Sequence, residues 1–391
     1  MSAILIATIV CFLVPAYVYI GYPALLGILS SLKRSETIAL QTDSELPSMT
    51  LIISCFNEAD VIEEKLRNAL ELDYPKDRLS VLVVSDGSTD GTDEIVKRFA
   101  GESVQLIRQE GRLGKTMGLN LAMESVVSDI TVFSDANAMY APDAARQLVR
   151  HFQKCDVGYV VGAALYTDGD AGASAQNEGV YWRYELAIKT MESRLSSVVG
   201  GDGAIYAIRS ALWQPLDQKD INDFVNPLQI VLKGYRGVFE PQAQCFEETA
   251  GEFDKEIARK ERIVNRSIRG LFRVRGVMNP LRTGLFSFMV VSHKLLRWLI
   301  PLFLAFGGFG SLVLSFYGLV VFKIIALGGL LTLGLAAIGH LSSNKNVLPI
   351  WISFPYYFIA VNWYAVRGII RAIQGETQVT WDSARPGRDG R

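Results

Sequence analysis

Two hydrophobic rhythms run along the chain. From Met1 to Leu32 no side chain is charged, and from Leu299 to Ile338 the only charge is Lys323. Such runs approach the roughly 20 apolar residues a helix needs to cross a bilayer. Between them, from Lys33 to about Arg275, apolar and polar blocks alternate as in a soluble protein. Ser35 to Ser48 is mostly polar and reads as a linker. Strands are predicted at Met49–Ser54, Val81–Val84, Val104–Ile107 and Ile130–Phe133. Helical spacing follows each one: Ile62, Leu66, Ala69 and Leu70; Ile95, Val96 and Phe99; Met117 and Leu121; then Ala145, Leu148, Val149 and Phe152 after Pro142. This β-α repetition predicts an α/β fold with a mainly parallel sheet covered by helices on both faces.

The apolar ends add a membrane to this picture. The first run lacks a basic start and a small-residue cleavage site, so it reads as a retained helix rather than a signal peptide. Lys33 and Arg34 follow it, which places the soluble part in the cytoplasm. Near the other end, Val347–Val366 is long enough to span. A span there would put the carboxyl terminus outside, against the charge of Arg367, Arg371, Arg385, Arg388 and Arg391. Length favours the span, and a span is expected. The chain is thus expected to divide into an N-terminal transmembrane helix (1–34), a cytoplasmic domain (46–255), amphipathic interface helices (256–297) and a C-terminal transmembrane region with tail (298–391).

Composition narrows the chemistry. The net charge of −1 over 391 residues gives no global field for nucleic acid. Cys11, Cys55, Cys155 and Cys245 show no pair spacing, which suits a reducing compartment and argues against zinc. His151, His293 and His340 are too dispersed for a histidine metal site or an obvious Ser-His-Asp triad.

In parallel sheets ligands bind beyond the carboxyl ends of the strands. The polar clusters fall at those ends: "CFNEAD" (Cys55–Asp60), "SDGSTD" (Ser85–Asp90), "GRLGKT" (Gly111–Thr116) and "SDANAMY" (Ser134–Tyr140). Thr92 is suited to cap the helix after the second cluster, and Asp93 and Glu94 suit its positive end. Several such loops on one rim form a site for a phosphorylated ligand. "QEGRLGKT" lacks the first glycine of a Walker loop, and no Gly-x-Gly-x-x-Gly follows the first strand.

These loops, in this order, resemble the family 2 inverting glycosyltransferases, which include cellulose, chitin and hyaluronan synthases. The resemblance extends from about Leu51 to Arg266 and implies a GT-A-type nucleotide-sugar-binding domain. By it, Asn57 and Glu58 of "SCFNE" line the nucleotide pocket, Asp86 faces the uracil and Lys115 approaches the diphosphate. "SDAN" stands where the family has Asp-x-Asp, so Asp135 is the implied ligand of Mg2+ or Mn2+. Asn137 replaces the second acid and would bind more weakly, or only orient the site. "VVGGDGAIYAIR" (Val198–Arg209) matches the segment beside donor sugar and acceptor. Glycines allow close backbone approach to a sugar, and Asp202 between Gly201 and Gly203 suits sugar hydroxyls. In "DINDFVNPLQIVLKGYR" (Asp220–Arg236) the implied general base is Asp223, with Asp220 a candidate cap. "ARKERIV" (Ala258–Val264) aligns with the Gln-x-x-Arg-Trp motif of processive synthases. There Arg259 replaces Gln, Ile263 replaces Trp, and Arg262 keeps the cation that faces the departing diphosphate. Arg266, Arg269, Arg273 and Arg275 continue the basic run and suit a helix lying on an anionic leaflet.

The expected activity is inverting transfer from a nucleotide-sugar, a UDP-sugar, to a membrane-associated glycan or lipid-linked acceptor. The expected partners are that donor, that acceptor and the bilayer, with the catalytic domain on the cytoplasmic face of the membrane. The degraded processive motif and the glycine-rich apolar run favour one or a few additions over a processive synthase that extrudes its polymer. A transporter or a catalytically dead scaffold with a nucleotide-binding domain is the non-enzyme alternative, and nucleotide release separates it from the enzyme.

Overall fold

A computed structural model describes residues 1–33, 38–101, 103–167, 173–248, 253–342, 349–377 and 379–380. Arg34, Arg385, Arg388 and Arg391 lie outside them. The chain forms two compact units. One comprises Met1–Leu25, Phe253–Ile268 and Val290–Thr377, and the other takes the rest.

The second unit is built on one eight-stranded sheet. Its strands are β1 (Met49–Cys55), β2 (Leu79–Ser85), β3 (Val104–Arg108), β4 (Ile130–Asp135), β5 (Met139–Tyr140), β6 (Val157–Thr167), β7 (Tyr206–Arg209) and β8 (Arg236–Glu248). They lie in the order β3-β2-β1-β4-β7-β6-β8-β5. Every residue of β1 is buried, as expected of a parallel strand covered on both faces. Helices α1 (Ser2–Ser31), α2 (Ala59–Leu70), α3 (Thr92–Arg98), α4 (Lys115–Met123), α5 (Ala144–Val149), α6 (Ala173–Leu195) and α7 (Asn222–Leu232) precede or cross this sheet in the chain. The face expected of α2 is the buried one, with Ile62 and Leu66 fully inside. The face expected of α4 is not. Leu121 is 38% exposed, and Thr116, Leu119 and Ala122 point inward instead. Two apolar positions four apart cannot fix a face when Thr and Ala can fill the opposite one.

Register is what makes the rim. Met49 pairs with both Leu79 and Ile130, so Cys55 ends level with Ser85 and Ser54 with Asp135. Ser85 in turn ends level with Arg108. The loops after β1 to β4 therefore leave the sheet at one height. Strand β7 runs antiparallel to β4, with Phe133 opposite Tyr206. An antiparallel neighbour enters where its partner leaves, so the segment before Tyr206 lies at the exit of β4.

The other unit contains α1, α8 (Phe253–Arg273) up to Ile268, α9 (Leu285–Phe316) from Val290, α10 (Val320–Leu341) and α11 (Ile350–Gln374). Among the described residues three helices, α1, α9 and α10, are long and apolar enough to cross a membrane. Ile324, Leu327 and Leu331 of α10 are 66%, 66% and 64% exposed, a surface suited to lipid. Small residues admit close packing between α1 and α9: a Cβ at Gly310 would meet Thr8 Cβ at 3.1 Å, and one at Gly307 would meet Phe12 Cζ at 3.1 Å.

The last helix, where a span is expected, is not among those three. Ile352 and Tyr356 pack on Gly339 at the end of α10. Ile369 shares a buried cluster with Val264 and Ile268 of α8, and Ala365 and Ala372 of α11 and Trp298, Leu299 and Leu302 of α9 pack against that cluster. Helices α9 and α10 are joined through the short turn at Gly318. Helix α11 packs on both α10 and α9. Arg371 forms an ion pair with Glu261 at 2.8 Å, and Arg367 approaches the same carboxylate at 3.7 Å. Two of the cations near the end of α11 are thus paired with α8. Within the basic run Arg266 is 7% exposed and Arg273 pairs with Asp220, while Arg273 and Arg275 remain exposed.

Candidate active site

The "SDGSTD" loop uses its acids first to hold itself. Asp90 accepts from Ala59 N at 2.9 Å, from Thr92 N at 3.0 Å and from the Thr92 hydroxyl at 2.5 Å. Burial pushes its carboxyl up, but these donors outweigh it and hold the group below its usual range. Asp90 thus takes the first helical N–H of both α2 and α3, whose N-cap residues are Glu58 and Gly91. Thr92 is the first helical residue instead, and its hydroxyl also accepts from Glu58 N at 2.9 Å. Asn57 adopts φ 53°, its Oδ1 accepts from Thr89 N at 2.9 Å, and its own N–H donates to Ser88 at 3.1 Å. Asn57 and Glu58 are thereby locked to the loop that follows β2.

Asp86 is 2% exposed. Its Oδ1 accepts from Gln109 Nε2 at 2.8 Å, Leu113 N at 2.8 Å and Gly114 N at 2.9 Å. Its Oδ2 shares Gly114 N at 3.0 Å. Burial raises its pKa against those amides and against Arg112, which lower it. The carboxylate shapes the loop before Lys115, and Oδ2 keeps a lone pair for a further donor. The Arg112 guanidinium lies 3.8 Å from the Phe56 ring centroid beside it. Gly114 has φ +91°, and a Cβ there would meet the Val379 carbonyl at 2.7 Å, so the segment after α11 lies against this loop.

Three predicted residues, from the end of β4 and the starts of α4 and α7, meet at Gly203. A Cβ placed there would lie 3.4 Å from Asp223 Oδ2, 3.4 Å from Lys115 Nζ and 3.5 Å from Asp135 Oδ2. Lys115 forms an ion pair with Asp135 Oδ1 and approaches the Gly203 carbonyl at 3.4 Å. The residue after it, Thr116, donates to the Asp220 carbonyl at 2.8 Å, which fixes the Lys115 loop to the start of α7. Burial raises the Asp223 pKa; Lys115 opposes the rise, and Asp202 and Asp135 reinforce it. Its Oδ1 is sealed from solvent without a hydrogen-bond partner. A carboxylate so placed is held ready rather than spent on structure.

The glycines have an unexpected reason. Gly201 N donates to the Asp223 carbonyl at 2.5 Å, and a Cβ at Gly201 would stand 2.7 Å from that oxygen. Gly201 is small for the backbone that carries Asp223. Asp202 pairs with Lys189 of α6 at 3.1 Å, and Glu192 of the same helix accepts from Val199 N at 3.0 Å. Sequence reading gave α6 no part, because its polar residues face inward while its spacing shows no apolar stripe. Asp220 is bound by Arg273 through Nε at 3.0 Å and through a second guanidinium nitrogen. Its Oδ2 also accepts from Asp217 N at 2.8 Å, so the carboxylate is engaged on both sides. Arg259 and Arg262 stand on α8 in the other unit, and Arg259 is exposed.

A parallel half-sheet with a nucleotide-type rim, joined through an antiparallel strand to a second half, is the GT-A arrangement of glycosyltransferases. The chain has that fold together with its apolar helices. A mannosyltransferase from Pyrobaculum calidifontis, solved in complex with GDP-Man and Mn2+, superposes with a TM-score of 0.71 over 94% of this chain and 99% of its own, at 21% identity. Residues 50–213 match glycosyl transferase family 2, and the chain carries a domain of that family. Poly-beta-1,6-N-acetyl-D-glucosamine synthase of Staphylococcus aureus strain MSSA476 is 25% identical over 225 residues, 55% of this chain and 54% of that protein. Glycosyltransferase AglE of Haloferax volcanii is 29% identical over 135 residues, 34% of this chain and 44% of that protein. The chain thus spans about half the length of the curated relatives it matches.

Proposed function

We propose that this protein is an inverting glycosyltransferase of the membrane. It moves a sugar from a nucleotide-sugar, a UDP-sugar, to a membrane-associated glycan or lipid-linked acceptor, with its sheet unit on the cytoplasmic side. The convergence of Asp223, Lys115 and Asp135 on Gly203 carries the reading. Asp223 takes the proton of an acceptor hydroxyl as that oxygen bonds to the anomeric carbon. The bond to the diphosphate breaks on the opposite side, and the configuration inverts. Lys115 offsets charge on the departing diphosphate.

Asp135 and Asn137 would hold Mg2+ or Mn2+ from one turn. Among the described residues no three His, Cys, Asp or Glu form a closed metal cage. One carboxylate and one carboxamide fit a hard cation that completes its shell with substrate oxygens. Such an ion supplies Lewis-acid neutralisation of the leaving diphosphate. The Mn2+ bound to the Pyrobaculum mannosyltransferase supports this reading. Asp86 Oδ2 suits the lactam N–H of uracil, and equally that of guanine, so the carboxylate alone does not choose the base.

A second reading is polymer synthesis, which the name of the staphylococcal relatives favours. One experiment addresses both. Purified protein in lipid is offered UDP-sugars and GDP-Man with Mn2+ or Mg2+, nucleotide release is measured, and the product is sized over time. Release of UDP with one or a few sugars per acceptor is expected. Long polymer while most acceptor is unused would establish the second reading, and release from no donor would overturn both.

A further inference from the structure

Helix α2 buries a lysine. Lys65 is fully enclosed, and its ammonium donates to the Ala138 carbonyl and sits 4.0 Å from the Tyr140 ring centroid. Burial pulls its pKa down to about 7, against the opposing influence of Cys245, Asp135 and Glu247. An apolar side chain would fill this space without that penalty. What the amine supplies is a donor to a carbonyl inside the turn that carries Asp135 and Asn137.

The same helix grips the turn a second time. Asn68, one turn on from Lys65, donates to the Tyr140 carbonyl at 2.8 Å and accepts from Tyr140 N at 2.8 Å. The Tyr140 hydroxyl donates onward to Phe133 O at 3.1 Å and Ala204 O at 3.0 Å, next to Gly203. Helix α2 begins at Ala59, directly after Asn57 and Glu58. One rigid element thus joins the nucleotide loop to the Asp135 turn.

We propose that Lys65 is a positioning residue: through the Ala138 carbonyl it holds the Asp135–Asn137 turn in the shape that takes a divalent cation with the donor diphosphate. This rests on the metal reading of Asp135. A turn with one carboxylate has little affinity to spare, so it depends on being held in shape. Outer partners of metal ligands typically change affinity about 10–100-fold when removed.

The test is Mn2+ binding to full-length protein in lipid with UDP, followed by the loss of the free-ion electron paramagnetic resonance signal, alongside kcat at rising Mn2+. Lys65→Met keeps the bulk and removes the donor. It should raise the Mn2+ Kd by about tenfold or more, with kcat recovering at saturating Mn2+. Lys65→Gln keeps an N–H donor without charge and should stay within about threefold of wild type, since the contact and not the charge is conserved. A folded Lys65→Met with wild-type Kd overturns the proposal, as does a Lys65→Gln as weak as Lys65→Met. If Lys65→Met does not fold, Asn68→Ala is read instead: a Kd raised severalfold supports the grip, and an unchanged Kd overturns it. Asp135→Ala separates the two levels. If it binds Mn2+ like wild type, the metal reading fails and the proposal with it. If it loses Mn2+ while Lys65→Met does not, the proposal alone fails.

Discussion

Replacing Asp223 by Asn exchanges one oxygen for an amide nitrogen at nearly constant volume. Asp223 Oδ2 lies beside Gly203, and Oδ1 lacks a partner, so the change at Oδ1 breaks no hydrogen bond in the resting protein. What it removes is the group able to take a proton. Loss of general-base catalysis typically costs about 10²–10⁴-fold, or about 2.7–5.4 kcal/mol of activation free energy. The site points to the upper half of that range. Burial and the neighbouring Asp202 and Asp135 raise the Asp223 pKa, with Lys115 as the counterweight, and a stronger base carries more of the proton transfer. Stability should be unchanged or slightly higher, because a buried charge disappears. The assay is single-turnover nucleotide release, with donor affinity by calorimetry and Tm measured on the same samples. The expected result is a rate loss of about 10³-fold or more with wild-type donor affinity and Tm. A mutant that turns over at the wild-type rate, or that loses rate only as its Tm falls, would refute the assignment.

Four further outcomes follow from the same geometry. Because Asp223 must be ionised to act and its pKa is raised, kcat/KM should fall with falling pH through a limb above the ordinary aspartate value of about 3.9. Lys115→Gln should move that limb to higher pH, and a limb that stays or moves down refutes the coupling. EDTA should abolish activity, Mn2+ or Mg2+ should restore it, and Asp135→Ala should mimic the loss; Asn137→Asp should lower the metal Kd, and a higher Kd would count against the turn. With exposed Cys155 replaced by Ser, single cysteines at Lys260 and Gln374 should be labelled from the same side of the membrane, and labelling from opposite sides would show that α11 spans. Gly201→Ala drives a Cβ toward the Asp223 carbonyl, so activity should fall as steeply as in Asp223→Asn while donor binding holds, and wild-type turnover would show that the backbone contact does not matter.

The apolar ends, the strands β1 to β4 and the rim loops were legible in the chain because each is a local consequence of burial. A parallel strand covered on both faces must be apolar throughout, as Met49–Cys55 is. Its polar continuation then marks the rim without knowledge of any neighbour. Asp223, Lys115 and Asp135 were legible as types of residue in types of loop. Their meeting at Gly203 was not, because it depends on β7 entering antiparallel beside β4, and an apolar run carries no direction. Nor could Gly201 be read as making room for the Asp223 backbone, or Lys65 as anything but a solvated lysine on a helix. Length argues that Val347–Val366 spans, but it could not show that Arg371 of α11 pairs with Glu261 of α8 or that Ile369 is buried with Val264 and Ile268. Periodicity records which side of an element avoids water. Which partner covers that side is decided by the sum of many weak contacts made at once, and those contacts exist only when the whole chain has closed on itself.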